Sequence, residues 1–423
     1  MEGDLRLFGI LNLIDRWERF PSLLERIRLG ETVALAPVDG ARPYLLAALQ
    51  QRLGLPMLVV TARPGKAREL HKQTAVWSED PDRVMIFPEP DSLPYERMPA
   101  DPTATVVRLS VMSALATATK PQSHKASKSD TKEETFVPSG LSGSVAQPQH
   151  SALSTLHPPL VVACARSMME QVMSPEQLLH AGLRLHTGQR ISLQSTLRQW
   201  VELGYEATPV VESPGCFSRR GGILDVYPTG SPVPYRIELF GDEIESIRPF
   251  DPATQRSSEP VERVEISPPH EVLPPTDEDA RNRLRALDFS ACTPSAQELI
   301  GRDLEMLLRG QSCPSLGFYR PFLGRSTLLD YLPNGGLLVL DDPAQIAAVS
   351  ADLMEQATHL QLQATERGEI PAGLPPALQD WGEPRASRHA GQRRMLEFRY
   401  DPDAEETPFA APPSYGGKLR LVL

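Results

Sequence analysis

Cysteine is scarce in this chain of 423 residues: the four present, Cys164, Cys216, Cys292 and Cys313, stand far apart with no C-x-x-C pair. That spacing argues against a zinc site and against a disulfide framework, and it fits a reducing cytoplasm. A basic excess is missing too. The formal net charge is -11, which weighs against a general nucleic-acid binder, because neutralising phosphates needs a cationic surface; one local basic patch stays open. No run approaches the roughly eighteen apolar residues of a membrane span. Met1 to Trp17 carries Glu2 and Asp4 and lacks the cationic n-region of a secretory signal. The nine histidines are scattered. With no partner constellation around them, and no paired carboxylates or nucleophile arrangement, neither a metal site nor a catalytic group is expected.

What the chain does have is concentrated between Cys216 and Ser257, CFSRRGGILDVYPTGSPVPYRIELFGDEIESIRPFDPATQRS. Ile223 to Tyr227 and Tyr235 to Phe240 read as strands joined by a Pro/Gly loop, and Gly241-Asp242 turns into a third strand, Glu243 to Arg248. Arg219-Arg220 precede the first strand, and Gly221-Gly222 let the chain turn sharply into it. Alternation puts Tyr235, Ile237 and Leu239 on one face of the middle strand and Arg236, Glu238 and Phe240 on the other. The first face suits a core. The second sets an arginine and a large aromatic on the wet side, as a contact surface does.

Several of these short motifs, in this order and spacing, resemble one family. S-R-R-G-G-I-L-D-V-Y-P, P-Y-R-I-E-L-F-G-D-E-I-E-S-I-R and F-D-P-A-T-Q-R-S follow the second domain of bacterial transcription-repair coupling factors (Mfd), and more distantly the matching domain of the excision-repair helicase UvrB. The phrase F-P-x-x-x-S-L-P-Y-E-R, from Phe87 to Arg97, is also similar to the coupling factors. UvrB proper inserts a tyrosine-rich hairpin in this region to probe damaged DNA, whereas Phe87 to Asp101 holds one tyrosine, Tyr95, and no room for it. The resemblance covers nearly the whole chain, strongest at residues 83–116 and 216–257 and weakest after about 270. It implies an α/β fold: a RecA-like parallel-sheet domain interrupted by a smaller α+β domain with an antiparallel β-meander.

The rest of the chain agrees with that order. Thr32 to Ala36, Met57 to Thr61, Arg83 to Phe87 and Pro159 to Cys164 are short apolar runs suited to buried parallel strands. Between them lie helices over Arg42–Leu53, Gly65–Trp77 and Thr105–Ala116, the last with Val107, Val111 and Leu115 on one stripe. Thr117 to Pro158, with eight serines and one aromatic, is too polar to offset the entropy of ordering it and is read as an inserted flexible loop. Ser192 is placed as the N-cap of a helix whose apolar face is Leu193, Leu197, Trp200 and Val201, ending at Gly204. From about Val264 the pattern returns to helices, Glu278–Leu287, Ser295–Leu308 and Pro343 to about Ala364, with a strand at Gly336–Asp341. The expected domains are residues 1–173, with the insertion at 118–158; 174–262, the UvrA-binding domain; 263–400, the resumed first domain; and 401–423, a linker. The chain stops after Lys418 to Leu423, where a helix would continue, and is read as a truncated N-terminal portion rather than a natural short form.

A RecA-like domain would carry a phosphate-binding loop after its first strand, with backbone amides and a lysine on the phosphates and Ser/Thr on magnesium. Here Ala36-Pro-Val-Asp-Gly-Ala-Arg-Pro43 puts Arg42 where the lysine belongs and Pro43 where the hydroxyl belongs. Pro37 removes an amide donor and Asp39 brings the wrong charge. Pro64-Gly65-Lys66-Ala67 lacks both the upstream glycine and the Ser/Thr. No D-E-x-H/D helicase motif is present: Asp242-Glu243 and Asp277-Glu278-Asp279 read as turn and helix-start acids. No nucleotide cofactor is expected.

By resemblance, the chain is a non-catalytic module that recruits UvrA in transcription-coupled nucleotide excision repair. RNA polymerase and DNA would be partners only through missing downstream domains, and the full-length parent would be an ATP-dependent translocase. The UvrA contact of the coupling factors maps onto Arg220, Arg236 and Phe240. In the full-length family this surface is masked by a C-terminal domain, so binding by the present chain should need no activation. The alternative for these residues is that Arg236 pairs with an acid such as Asp225 while Phe240 caps the domain's own core. The alternatives for the chain are a working UvrB-type helicase and a stand-alone adaptor on the same fold.

Overall fold

The computed structural model describes residues 7–118, 158–381, 394–400 and 404–409. In chain order the strands are β1 (Thr32–Ala36), β2 (Met57–Thr61), β3 (Val84–Phe87), β4 (Leu160–Cys164), β5 (Leu183–His186), β6 (Glu206–Ala207) and β7 (Cys216–Arg220). Then come β8 (Ile223–Val226), β9 (Tyr235–Phe240), β10 (Glu243–Pro249), β11 (Arg263–Ile266), β12 (Leu337–Asp341), β13 (Arg394–Phe398) and β14 (Glu405–Glu406). Seven of them form one sheet in the order β14-β1-β13-β12-β2-β4-β3, and every pairing in it is parallel.

Parallel strands need crossovers, and the helices that supply them cover both faces of the sheet. The strands therefore alternate between two cores. Leu58, Val60, Val161, Ala163, Leu338 and Leu340 enter one, and Met57, Val59, Leu160, Val162, Leu337 and Val339 enter the other. That is why the sequence shows unbroken apolar runs here. Helix Arg42–Leu53 has Pro43 in its first turn and ends on Gly54 at φ 62°, a left-handed position that suits glycine. On helix Pro102–Ala118 the buried residues include Arg108, Val111, Met112 and Leu115, whereas Val107 is exposed, just outside the stripe expected of it. The expected insertion falls mostly on residues 119–157, outside those described, and so does most of the expected 401–423 linker.

A strand absent from the sequence reading sits in the middle of the sheet. β13 pairs with β1 on one side and β12 on the other. Its residues RMLEF carry two charges, so no apolar run announces it.

Between β4 and β12 the chain builds a second, smaller unit: a five-stranded sheet in the order β10-β9-β8-β7-β6 and a β11-β5 pair. Their core surrounds Trp200, which meets Phe217 edge-on at 5.4 Å. Helix Leu193–Leu203 delivers Trp200; the Ser192 side chain accepts from Ser195 N and Gly204 ends it at φ 100°. Val201, expected on the apolar face, is exposed. Helix resumes at Glu278–Arg285, starting where it was expected, but the stretch from Val264 first supplies a strand the sequence reading lacked: Val264 and Ile266 belong to β11 and pack in this second core.

A buried charge cluster ties helix Pro102–Ala118 to the segment that follows β11. Arg108 Nε donates to Glu271 Oε1 at 2.7 Å and Arg320 Nη1 donates to Glu271 Oε2 at 3.0 Å. Glu170 lies 3.5 Å from Arg320 and 3.6 Å from Arg166. Arg108 also stacks 4.0 Å above the Phe87 ring. Burial would raise the Glu271 carboxyl, but Arg108 and Arg320 together hold it below its ordinary range.

Candidate functional site

Two tight turns shape one end of the five-stranded sheet. β7 and β8 pair antiparallel with Arg220 opposite Ile223, so Gly221-Gly222 form the turn of a hairpin, with Gly221 at φ 62°. Arg219 and Arg220 therefore lie in a strand, not ahead of one as the sequence suggested. A Cβ on Gly222 would come within 3.1 Å of the Leu239 carbonyl, so this glycine lets β9 approach. Gly241-Asp242 make the second turn, with Phe240 opposite Glu243. Registers then fix one face: Ser218 and Arg220 on β7, Ile223 and Asp225 on β8, Arg236, Glu238 and Phe240 on β9.

Half of this face is covered. Ser218 Oγ donates to the Pro209 carbonyl, and the loop around Gln255 lies over Arg236. Gln255, at φ 60°, accepts from Arg236 Nη1 through its carbonyl at 3.3 Å and donates its side-chain amide to the Val211 and Pro252 carbonyls. Ser257 Oγ accepts from the same Nη1 at 3.4 Å. Asp225 receives Arg236 bidentately, Nε to Oδ1 at 2.8 Å and Nη2 to Oδ2 at 2.9 Å. Phe250 lies 4.8 Å from the guanidinium. Only 17% of the Arg236 side chain is exposed and 2% of Asp225. The hydrogen bonds to Asp225 push the Arg236 pKa still higher.

The other half is open. Phe240 is 80% exposed, the most exposed of the large apolar side chains among the described residues. Arg220 is 52% exposed and reaches Asp225 only loosely, at 3.9 Å. Ile223 lies between them, half-buried. Of the two bland alternatives, the Arg236–Asp225 pair is formed, and the burial of Phe240 in its own core is not. The three expected residues thus share one face, with different freedom. The sequence offered Asp225 as an acid for Arg236 and put Gln255 in the F-D-P-A-T-Q-R-S motif, but nothing in it placed that loop over Arg236.

The position of a phosphate loop is filled by the protein itself. Arg42 is buried and pairs with Asp341 at the end of β12. Tyr400 lies 4.9 Å from its guanidinium and also bonds it. Asp39 accepts from Tyr400 Oη at 2.5 Å and lies 3.0 Å from Arg42 Nη2 and 3.5 Å from Lys66 Nζ. Two carboxylates thus neutralise the cations that a phosphate would need.

Comparison with known proteins bears on both regions. Residues 183–271 match the UvrB interaction domain. The chain is 27% identical over 378 residues to the transcription-repair-coupling factor of Bacillus subtilis, covering 86% of this chain and 29% of that protein. It is 28% identical over 398 residues to that of Myxococcus xanthus, covering 90% and 29%. UvrABC system protein B of Prochlorococcus marinus is 31% identical over 216 residues, 46% of this chain and 32% of that protein. The chain therefore carries a UvrB interaction domain within a coupling-factor-like sequence, and it spans under a third of the length of these relatives. No described helix is long and apolar enough to cross a membrane.

Proposed function

We propose that this chain, a relative of the transcription-repair-coupling factors that carries a UvrB interaction domain, is their UvrA-recruiting module in nucleotide excision repair, and that it does not itself hydrolyse ATP. It would be the N-terminal part, organised as a sheet domain interrupted by the UvrA-binding domain, expected over 174–262 and extended by β11 to Ile266. The partner surface is the face that carries Arg220, Arg236 and Phe240. One observation carries the reading: Phe240 stands 80% exposed on a rigid strand, beside a half-free arginine. A monomer gains nothing by exposing such a ring, whereas an interface gains apolar area at low entropy cost.

The same surface in a protein with an intact nucleotide site would support a UvrB-type helicase. The pairing of Arg42 with Asp341 favours the recruiting module instead. Purified UvrA passed over the immobilised chain is the test. Retention by the wild type and its loss in folded F240A support the proposal; no retention by the wild type rejects it.

A further inference from the structure

Arg236 has five N–H groups. Two are committed to the Asp225 carboxylate, and Nη1 is aimed at the Gln255 carbonyl and Ser257 Oγ. With Phe250 against the guanidinium, the head is held on almost every side. A side chain so enclosed has little left for a carboxylate on another protein. Arg220, on the same face, has one contact at 3.9 Å and half of its side chain in water.

We propose that Asp225 and Arg236 are a positioning pair for the UvrA-binding face, and that the partner is met by Phe240 and Arg220. The inference rests on the reading that UvrA binds this face, and it changes how the face works. Asp225 lies on β8 directly across from Arg236 on β9, so the bidentate bond ties the two strands together four residues from Phe240. The same carboxylate faces Arg220 from below. One buried acid therefore sets the relation between β9, which carries the ring, and β7, which carries the free cation. A fixed geometry lowers the ordering cost at association.

The test separates a positioning role from direct contact. A charge that meets its partner speeds encounter and makes association salt-dependent; a buried pair that only shapes the surface acts on dissociation. Arg220→Ala should therefore weaken the salt dependence of UvrA association. Arg236→Gln should leave that dependence as in the wild type and speed dissociation, with affinity falling about tenfold, the scale of coupled neighbours. Asp225→Asn, which cannot itself reach UvrA, should show the same loss, and the double variant Asp225→Asn/Arg236→Gln should be no weaker than either single one. If Arg236→Gln removes as much salt dependence as Arg220→Ala, Arg236 contacts the partner and the proposal falls. Folded Asp225→Asn that binds like the wild type also overturns it. Should Asp225→Asn not fold, the salt comparison still decides. The Arg236 Nε–H resonance gives a readout independent of UvrA: it should be visible and slowly exchanging in the free chain at neutral pH. Absence of that resonance rejects the clamp, whereas a clamp without UvrA binding rejects the recruiting function instead.

Discussion

Arg42 and Asp341, 299 residues apart, pair in the interior where β1 gives way to its helix and β12 ends, each side chain 3% exposed. The guanidinium stands where a phosphate-binding lysine would, but its charge is answered from within the fold. Two outcomes are expected. Titration calorimetry with ATP and magnesium should give no binding, and micromolar affinity abolished by changing Gly40 or Arg42 would contradict this. Arg42→Ala should cost about 3 kcal/mol of stability in denaturant melts, because it strands a buried carboxylate.

Phe240→Ala should weaken UvrA binding by about 2 kcal/mol, roughly thirty-fold, as for a hot-spot aromatic. Its thermal stability should stay within about 0.5 kcal/mol of wild type, as expected of an exposed residue. A large drop in stability with unchanged affinity would assign the ring to the fold rather than to the interface.

Glu271 links stability to pH. Its folded pKa lies below its ordinary value because Arg108 and Arg320 surround it. Above the ordinary 4.5 its contribution is fully present, and it is lost as pH falls through the folded value. Glu271→Gln should cost about 3–5 kcal/mol at pH 7, since two arginines lose their buried partner. The gap between variant and wild type should narrow when melts are repeated towards pH 3. A gap that is constant with pH would mean the carboxylate is not ionised in the fold.

Gly204→Ala should be destabilising by more than about 1 kcal/mol, beyond the loss of a left-handed position alone. At φ 100° a Cβ would sit 2.6 Å from the His270 ring, so both backbone and packing oppose it. Gly30→Ala, also left-handed but with nothing within 4 Å of its Cβ, serves as the control and should cost less.

What the sequence displayed was whatever depends on neighbours in the chain. β2, β4 and β12 are buried throughout and apolar but for the last residues of β2 and β12 because both faces are covered, and the cap at Ser192 and the stop at Gly204 are local chemistry. β13 escaped because its place is set by pairing with β1 and β12, and its Glu397 is buried beside Arg399 instead of being replaced by an apolar residue. Alternation along β9 correctly put Arg236 and Phe240 on one face. It could not show that the loop around Gln255 folds over Arg236 and stops short of Phe240, since that covering depends on Gln255, 19 residues from Arg236, and on Val211, 44 residues from Gln255, which anchors it. The Glu271 cluster was hidden for the same reason, its first partner lying 163 residues upstream.

If this face binds UvrA as the corresponding face of UvrB does, this chain and UvrB compete for UvrA. Labelled UvrB bound to UvrA should be displaced by increasing amounts of this chain, and folded Phe240→Ala should displace it only at roughly thirty-fold higher concentration. If the chain and UvrB occupy UvrA together, or if the variant displaces UvrB as well as the wild type does, the proposed surface is wrong.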